Sequence, residues 1–241
     1  GKPIYYATNI DVFLASYSGG KDSQVLLDLV TRAIPSNDFV VIYSDTGYEL
    51  PPSLEIYEET QLFYKSRYPN MKFFTARNHQ NVLDYWEKMG TPSQKHRWCC
   101  SVMKTAPLYK LLKDIYGNGK QPNVLAYEGV RSEESPRRSQ YSRIGKAVKH
   151  NGVINARPIF NWNSTEIYLY NFFHKLPFNK GYREGLGRVG CSICPYITQW
   201  TSFIVSQKYP KIIEPFINHI YSSTNLFGIE SEKSKLEYIK S

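Results

Sequence analysis

No stretch narrows the choice of fold as sharply as Ser18-Gly19-Gly20-Lys21-Asp22-Ser23, because it stands between an apolar run, FLASY, and an amphipathic one, QVLLDLVTRAI. A strand followed by two glycines and then a helix gives a sharp turn. Its backbone N–H groups and the positive end of the helix dipole converge on one spot, a cradle for an anion such as a phosphate. Lys21 adds a full positive charge there. The stretch is shorter than G-x-x-x-x-G-K-[ST], which carries its lysine at the far end, so cleavage between β- and γ-phosphates is not the expected chemistry. Strand-like runs at 12–17, 39–44, 72–76 and 124–130 alternate with helix-like stretches at 23–34, 52–68, 81–89 and 105–116. The runs are dense in Val, Phe, Ile, Leu and Tyr, as strands buried on both faces are. The pattern predicts an α/β fold in three layers, a parallel sheet with helices on both faces and functional loops at the carboxyl ends of its strands. Asp45-Thr46-Gly47, after the second run, falls at that edge.

At 241 residues and 41% hydrophobic, the chain can bury a full core. One domain over 1–228 is expected, with residues 229–241 a charged tail. No run of 18 apolar residues occurs and the N-terminus lacks a signal-peptide succession, so a cytoplasmic protein with no membrane partner is expected. The chain begins with Gly1, which predicts processing or a longer parent. A formal charge of +9 draws it toward polyanions, nucleotides and nucleic acids both. No helix-turn-helix, finger or RNP signature marks a nucleic-acid module. Residues 132–151 turn polar and basic and read as a long loop or lid. Ser164 opens a further helix, and a last helical region over 199–221 is expected to break at Pro210 and Pro215.

The four cysteines form two pairs, Cys99-Cys100 and Cys191-x-x-Cys194, with 94 positions from Cys100 to Cys194. Only the fold can join them. A disulfide framework does not suit a chain without a signal. Zinc sites usually space both ligand pairs by two to four residues, which a vicinal pair does not. A [4Fe–4S] cluster, larger and held by soft thiolates, tolerates the arrangement better. Buried, unliganded thiols are the third possibility.

Further stretches carry a resemblance. SGGKDS is similar to the PP-loop of ATP pyrophosphatases. Asp45-Thr46-Gly47-Tyr48, His96-Arg97-Trp98-Cys99-Cys100 with Lys104, Gly129-Val130-Arg131 with Glu134 and Arg138, Arg157-Pro158-Ile159 with Trp162, and Arg188-Val189-Gly190-Cys191 with Cys194-Pro195 resemble, in order, segments of the phosphoadenosine phosphosulfate reductase family. Within it the chain is similar to the cluster-binding branch of sulfur-transfer ATP pyrophosphatases, including those of DNA phosphorothioation.

That resemblance implies an adenine nucleotide α-hydrolase-like fold with a small C-terminal helical cluster-binding region, ATP with Mg2+ as nucleotide, and a [4Fe–4S] cluster on Cys99, Cys100, Cys191 and Cys194, zinc being the weaker alternative. Ser18, Gly19, Gly20, Lys21 and Ser23 would hold the pyrophosphate part of ATP. Asp22 would cap the helix or position magnesium, and Asp45 would bind ribose or magnesium. Arg131 and Arg138 would clamp phosphate, with Glu134 as a charge partner, while Lys104 and Arg188 would flank the cluster. The implied activity is cleavage of ATP to AMP and pyrophosphate to adenylate an acceptor for sulfur transfer, with nucleic acid as one acceptor and a sulfur donor as partner. True sulfonucleotide reductases carry a further cysteine near the C-terminus, and none follows Cys194 here. A reductase whose thiol lies elsewhere, and a silent nucleotide- or nucleic-acid-binding module, are the competing readings.

Overall fold

A computed structural model describes residues 9–146 and 152–226. Six strands form one sheet in the order β3-β2-β1-β4-β6-β5: β1 (Val12–Tyr17), β2 (Phe39–Asp45), β3 (Lys72–Arg77), β4 (Val124–Tyr127), β5 (Ile144–Lys146) and β6 (Val153–Ala156). All neighbours run parallel except β5, which pairs antiparallel with β6. The strand order reverses about β1, so the loop after β1 opens into the crevice where open α/β sheets place their ligands.

Alternation along β1 and β2 decides what lies on each face. Ala15, Tyr17, Phe39, Val41 and Tyr43 face α1 (Lys21–Ala33) and α2 (Pro51–Lys65), whose Leu26, Leu27, Val30, Tyr57 and Tyr64 close that layer. Leu14, Val40 and Ile42 point the other way, with Val124 and Ala126, onto Leu112 of α4 (Ala106–Tyr116). These side chains are nearly all below 5% exposed. Fully burying one of the aliphatic ones contributes roughly 1.5–3 kcal/mol. The three-layer expectation holds, with helices on both faces of a mostly parallel sheet.

Three features differ from the sequence expectation. β4 ends at Tyr127 rather than residue 130: Glu128 makes one more bond to β6, at Ala156, and Gly129 then packs on the first turn of α1. The polar stretch 132–151 is not one long loop: it contains the short helical turns Ser132–Glu134 and α5 (Pro136–Ser139), then β5. Strands of three and four residues are too short to register as periodicity. Finally, α7 (Gln199–Lys208) and α8 (Pro210–Leu226) divide at Pro210 as expected, but α8 continues through Pro215, forgoing one backbone hydrogen bond. The remaining helices, α3 (Val82–Met89) and α6 (Ser164–Phe173), carry asparagine caps at Asn81 and Asn163, the latter completing a capping box with Glu166. Residues 147–151, the boundary expected at 228 and the tail beyond it lie outside the described residues. Among the described residues no helix is long and apolar enough to cross a membrane.

Candidate active site

Residues 18–20 are the whole turn between β1 and α1. Gly19 takes φ +72°, and a Cβ there would stand 3.1 Å from Ile56 Cγ2 and 3.2 Å from the Ser53 carbonyl, so both backbone and space demand glycine. Gly20 precedes α1 in an extended conformation with no side-chain cap, which leaves the first-turn amides to be satisfied from elsewhere. The two serines brace the turn. Ser23 Oγ donates to the Gly20 carbonyl at 2.9 Å and accepts from the Ser18 amide and hydroxyl at 3.2 and 3.1 Å.

A row of alternating charge runs from this loop. Lys21 Nζ pairs with Asp22 Oδ2 at 2.7 Å and lies over the rings of Tyr168 and Tyr182. Asp22 Oδ1 accepts from Arg131 Nε at 2.5 Å, and Arg131, its side chain 5% exposed, also pairs with Glu133. Asp22 thus sits in the first turn as a favourable charge and an arginine partner, not as a cap. The Arg131 amide donates to Glu134 Oε2 at 2.8 Å, while Glu134 Oε1 pairs with Arg138. Loop and arginines approach closely because residue 129 is glycine: a Cβ there would stand 3.0 Å from the backbone of Asp22 and Ser23. Gly129→Ala is therefore expected to cost about 1–3 kcal/mol, as overpacking against backbone does, measured as a lower melting temperature. Asp45, the last residue of β2, accepts from the Gly47 amide at 2.7 Å and pairs with Arg77 at 3.1 Å.

The four cysteines line one cavity of ≈ 160 Å³, together with Lys104, Arg188 and Tyr48. Antiparallel pairing joins the C-x-x-C segment to the chain just after Asp45-Thr46-Gly47: Leu50 N donates to Gly190 O and Ser192 N to Tyr48 O, both at 3.0 Å. The vicinal pair arrives on the turn before α4, with Cys99 packed among Tyr48, Trp98, Met103 and Ile193. All four thiols are free, with Cys99 buried, Cys191 and Cys194 half-buried and Cys100 exposed. Among the described residues no three His, Cys, Asp or Glu side chains are placed to hold a single metal ion.

The electrostatics of this cavity favour thiolates on one side. A hydrogen bond from Cys99 holds the Cys100 thiol down to about 6 against the opposing effect of burial, with Lys104, Arg97 and Arg188 adding to the shift; the donating Cys99 is pushed up. Burial, with Glu49 beside it, pushes Cys191 up to about 12. Burial opposes the charge on Lys104, but Cys191 and Glu49 outweigh it and its pKa is raised.

Some residues at the site carry no sequence signal. Glu49, 5% exposed, accepts from the Thr46 hydroxyl at 2.8 Å, lies 3.5 Å from Cys191 Sγ and pairs with Lys104 at 3.4 Å. Asn171, Asn179 and Tyr182 reach the glycine loop from the far third of the chain. Only the stretch's closeness to the C-x-x-C pair could have drawn attention to Asn179 and Tyr182. His96, by contrast, is exposed and engaged through its backbone.

A family model, the phosphoadenosine phosphosulfate reductase domain, matches residues 13–197. The chain belongs to this family. An uncharacterized protein of Methanocaldococcus jannaschii is 32% identical over 208 residues, 85% of this chain and 40% of that one. An adenosine 5'-phosphosulfate reductase of Geobacillus sp. is 25% identical over 186 residues, covering 76% of this chain and 73% of the enzyme. The chain spans less than half the length of the Methanocaldococcus relatives it matches. The fold is that of the crystal structure of a phosphoadenylyl-sulfate reductase from Candida auris, solved as a phosphate complex, with a TM-score of 0.55 at 16% identity over 76% of this chain and 82% of that one. The chain is thus a nucleotide-binding domain of the phosphoadenosine phosphosulfate reductase family.

Proposed function

We propose that this domain binds magnesium ATP on the loop 18–23 and cleaves it to AMP and pyrophosphate, adenylating an acceptor for sulfur transfer. The observation that carries the reading is the intact SGGKDS loop: Lys21 stands in the first turn of α1, at the edge of the sheet from which the four-thiol cavity also opens. In this reaction an acceptor oxygen attacks the α-phosphorus. The new P–O bond forms as the bond to pyrophosphate breaks, and the acceptor's proton passes to solvent. Charge builds on the leaving pyrophosphate, where Lys21 and the loop amides of Gly19 and Gly20 offset it. Arg131 and Arg138 supply guanidinium forks suited to phosphate oxygens. Asp45 offers the hard oxygen ligand that Mg2+ takes, with the half-exposed Arg77 as its displaceable partner. A sulfur nucleophile then displaces AMP from the activated acceptor.

Cys99, Cys100, Cys191 and Cys194 fit a [4Fe–4S] cluster. Four free thiols line a common cavity, and Lys104, Arg97 and Arg188 would offset the negative charge of a thiolate-bound cluster. When bound, such a cluster supplies electron- or sulfur-transfer chemistry. A second reading, a sulfonucleotide reductase, rests on the adenosine 5'-phosphosulfate reductase relatives and needs a nucleophilic thiol besides the four that would hold the cluster.

A nucleic-acid acceptor is supported by the surface beside the cavity. Arg97 stacks 4.9 Å over the ring of Tyr196, and Trp200 and Phe203, 59% and 54% exposed, lie 5.9 Å apart. Exposed aromatics among cations suit unpaired bases and phosphates. Trp200→Ala is expected to weaken binding of single-stranded oligonucleotides about 5- to 100-fold, measured by fluorescence anisotropy.

The proposed activity is tested by anaerobic incubation with magnesium ATP and chromatography of the products. AMP with pyrophosphate supports it; ADP with phosphate overturns it, and turnover of adenylyl sulfate with ATP left intact favours the reductase reading.

A further inference from the structure

The amide that opens α1 is already occupied from within. The Lys21 N–H, the first of the helix and part of the proposed phosphate cradle, donates to the Tyr182 hydroxyl at 3.1 Å. The same hydroxyl lies 3.3 Å from where a Cβ on Gly20 would be, against the face of the glycine turn. Two asparagines of the same region fasten the loop: Asn179 Nδ2 donates to the Gly19 carbonyl at 2.9 Å, and Asn171 Nδ2 to the Lys21 carbonyl at 3.2 Å. The Tyr182 ring rests on Phe178 and Tyr168, with centroids 5.4 and 6.3 Å away, so its hydroxyl is aimed by packing.

From Tyr182 the chain runs directly to the C-x-x-C pair. Val189 Cγ2 stands 3.6 Å from the same point on Gly20, and Gly190 and Ser192 pair with residues 50 and 48 on either side of Cys191. The Trp200 indole donates to the Gly185 carbonyl at 2.9 Å, tying the middle of this connection to α7.

We propose that Tyr182 sets nucleotide affinity and couples the phosphate loop to the cysteine cavity. Its hydroxyl takes the Lys21 amide that a phosphate oxygen takes in the bound state, so the two contacts exclude one another. Nucleotide binding releases Tyr182, and with it the connection over residues 182–191 that carries Cys191. This inference rests on the reading of the 18–23 loop as a phosphate site. Because a nucleotide must displace a neutral hydrogen bond, removing the hydroxyl improves affinity by about 2- to 12-fold.

The test uses the full chain, purified anaerobically, with the α,β-methylene analogue of ATP as probe. Affinity is measured by calorimetry for wild type and Tyr182→Phe, and hydrogen exchange is followed across residues 182–192 with and without the analogue. Phenylalanine keeps the ring packing. The expected result is tighter binding by Tyr182→Phe, together with faster exchange of the 182–192 amides in wild type on adding the analogue. Equal or weaker binding by the variant, or exchange in that segment indifferent to the analogue, overturns the coupling while leaving the nucleotide site standing. Failure of both proteins to bind the analogue overturns the loop reading, and this inference with it.

Discussion

Replacing Lys21 with alanine is expected to slow pyrophosphate release about 10²- to 10³-fold while leaving the fold in place, the loss typical when a group aimed at developing charge is removed. The Lys21 side chain contributes a pair with Asp22 and contacts with two rings, whereas the turn is held by the two serines and by Gly19 and Gly20. Asp22 keeps its second partner, Arg131, in the variant. The effect should therefore appear in turnover and not in the melting temperature, measured by AMP and pyrophosphate production under single-turnover conditions beside a thermal scan. Unchanged turnover would remove Lys21 from the chemistry and leave the charge row from Lys21 to Glu133 as a structural brace.

The second large effect is expected at the cavity. Anaerobically purified protein should carry about four iron and four sulfide per chain, as a [4Fe–4S] centre requires, and Cys191→Ser or Cys194→Ser should lose most of both. A group bound at ~10³ times its dissociation constant stabilises the folded state by about 4 kcal/mol. For a chain of this size that corresponds to a melting temperature lower by about 10 °C in the cysteine variants. Metal analysis and the visible absorption band test occupancy, and the thermal scan tests its linkage to folding. One zinc per chain, with no sulfide, would replace the cluster.

How much was legible in the sequence follows the range of the forces. The first strand, loop and helix were readable because FLASY, SGGKDS and QVLLDLVTRAI are local signals that agree with one another. Helix starts near Asn81 and at Ser164 were readable because caps act over two or three residues, although the capping side chain before α6 is Asn163. β5 and β6 were missed, since three and four residues give no usable period and their pairing is decided by the sheet beside them. At the site, the cysteines advertise themselves by residue type, but their meeting depends on residues 48–50 pairing with 190–192 across the chain. Glu49 and Tyr182 were invisible for the same reason. A buried glutamate becomes notable only once Lys104 and Cys191 are seen beside it, and a tyrosine among twenty becomes notable only when its hydroxyl meets the first amide of α1.

The antiparallel pairing that brings Cys191 to residues 48–50 also fixes an order of assembly. β1, β2 and β3 are complete by residue 77 and can zip together early, from contacts close in the chain. The cavity wall is different, because half of its thiols are made more than ninety residues after the other half. When Cys99 and Cys100 are made, only three of the six strands precede them in the chain, and Cys191 and Cys194 are still to come. Whatever is held by all four thiols must therefore be delivered late, to a chain whose first three strands are already paired.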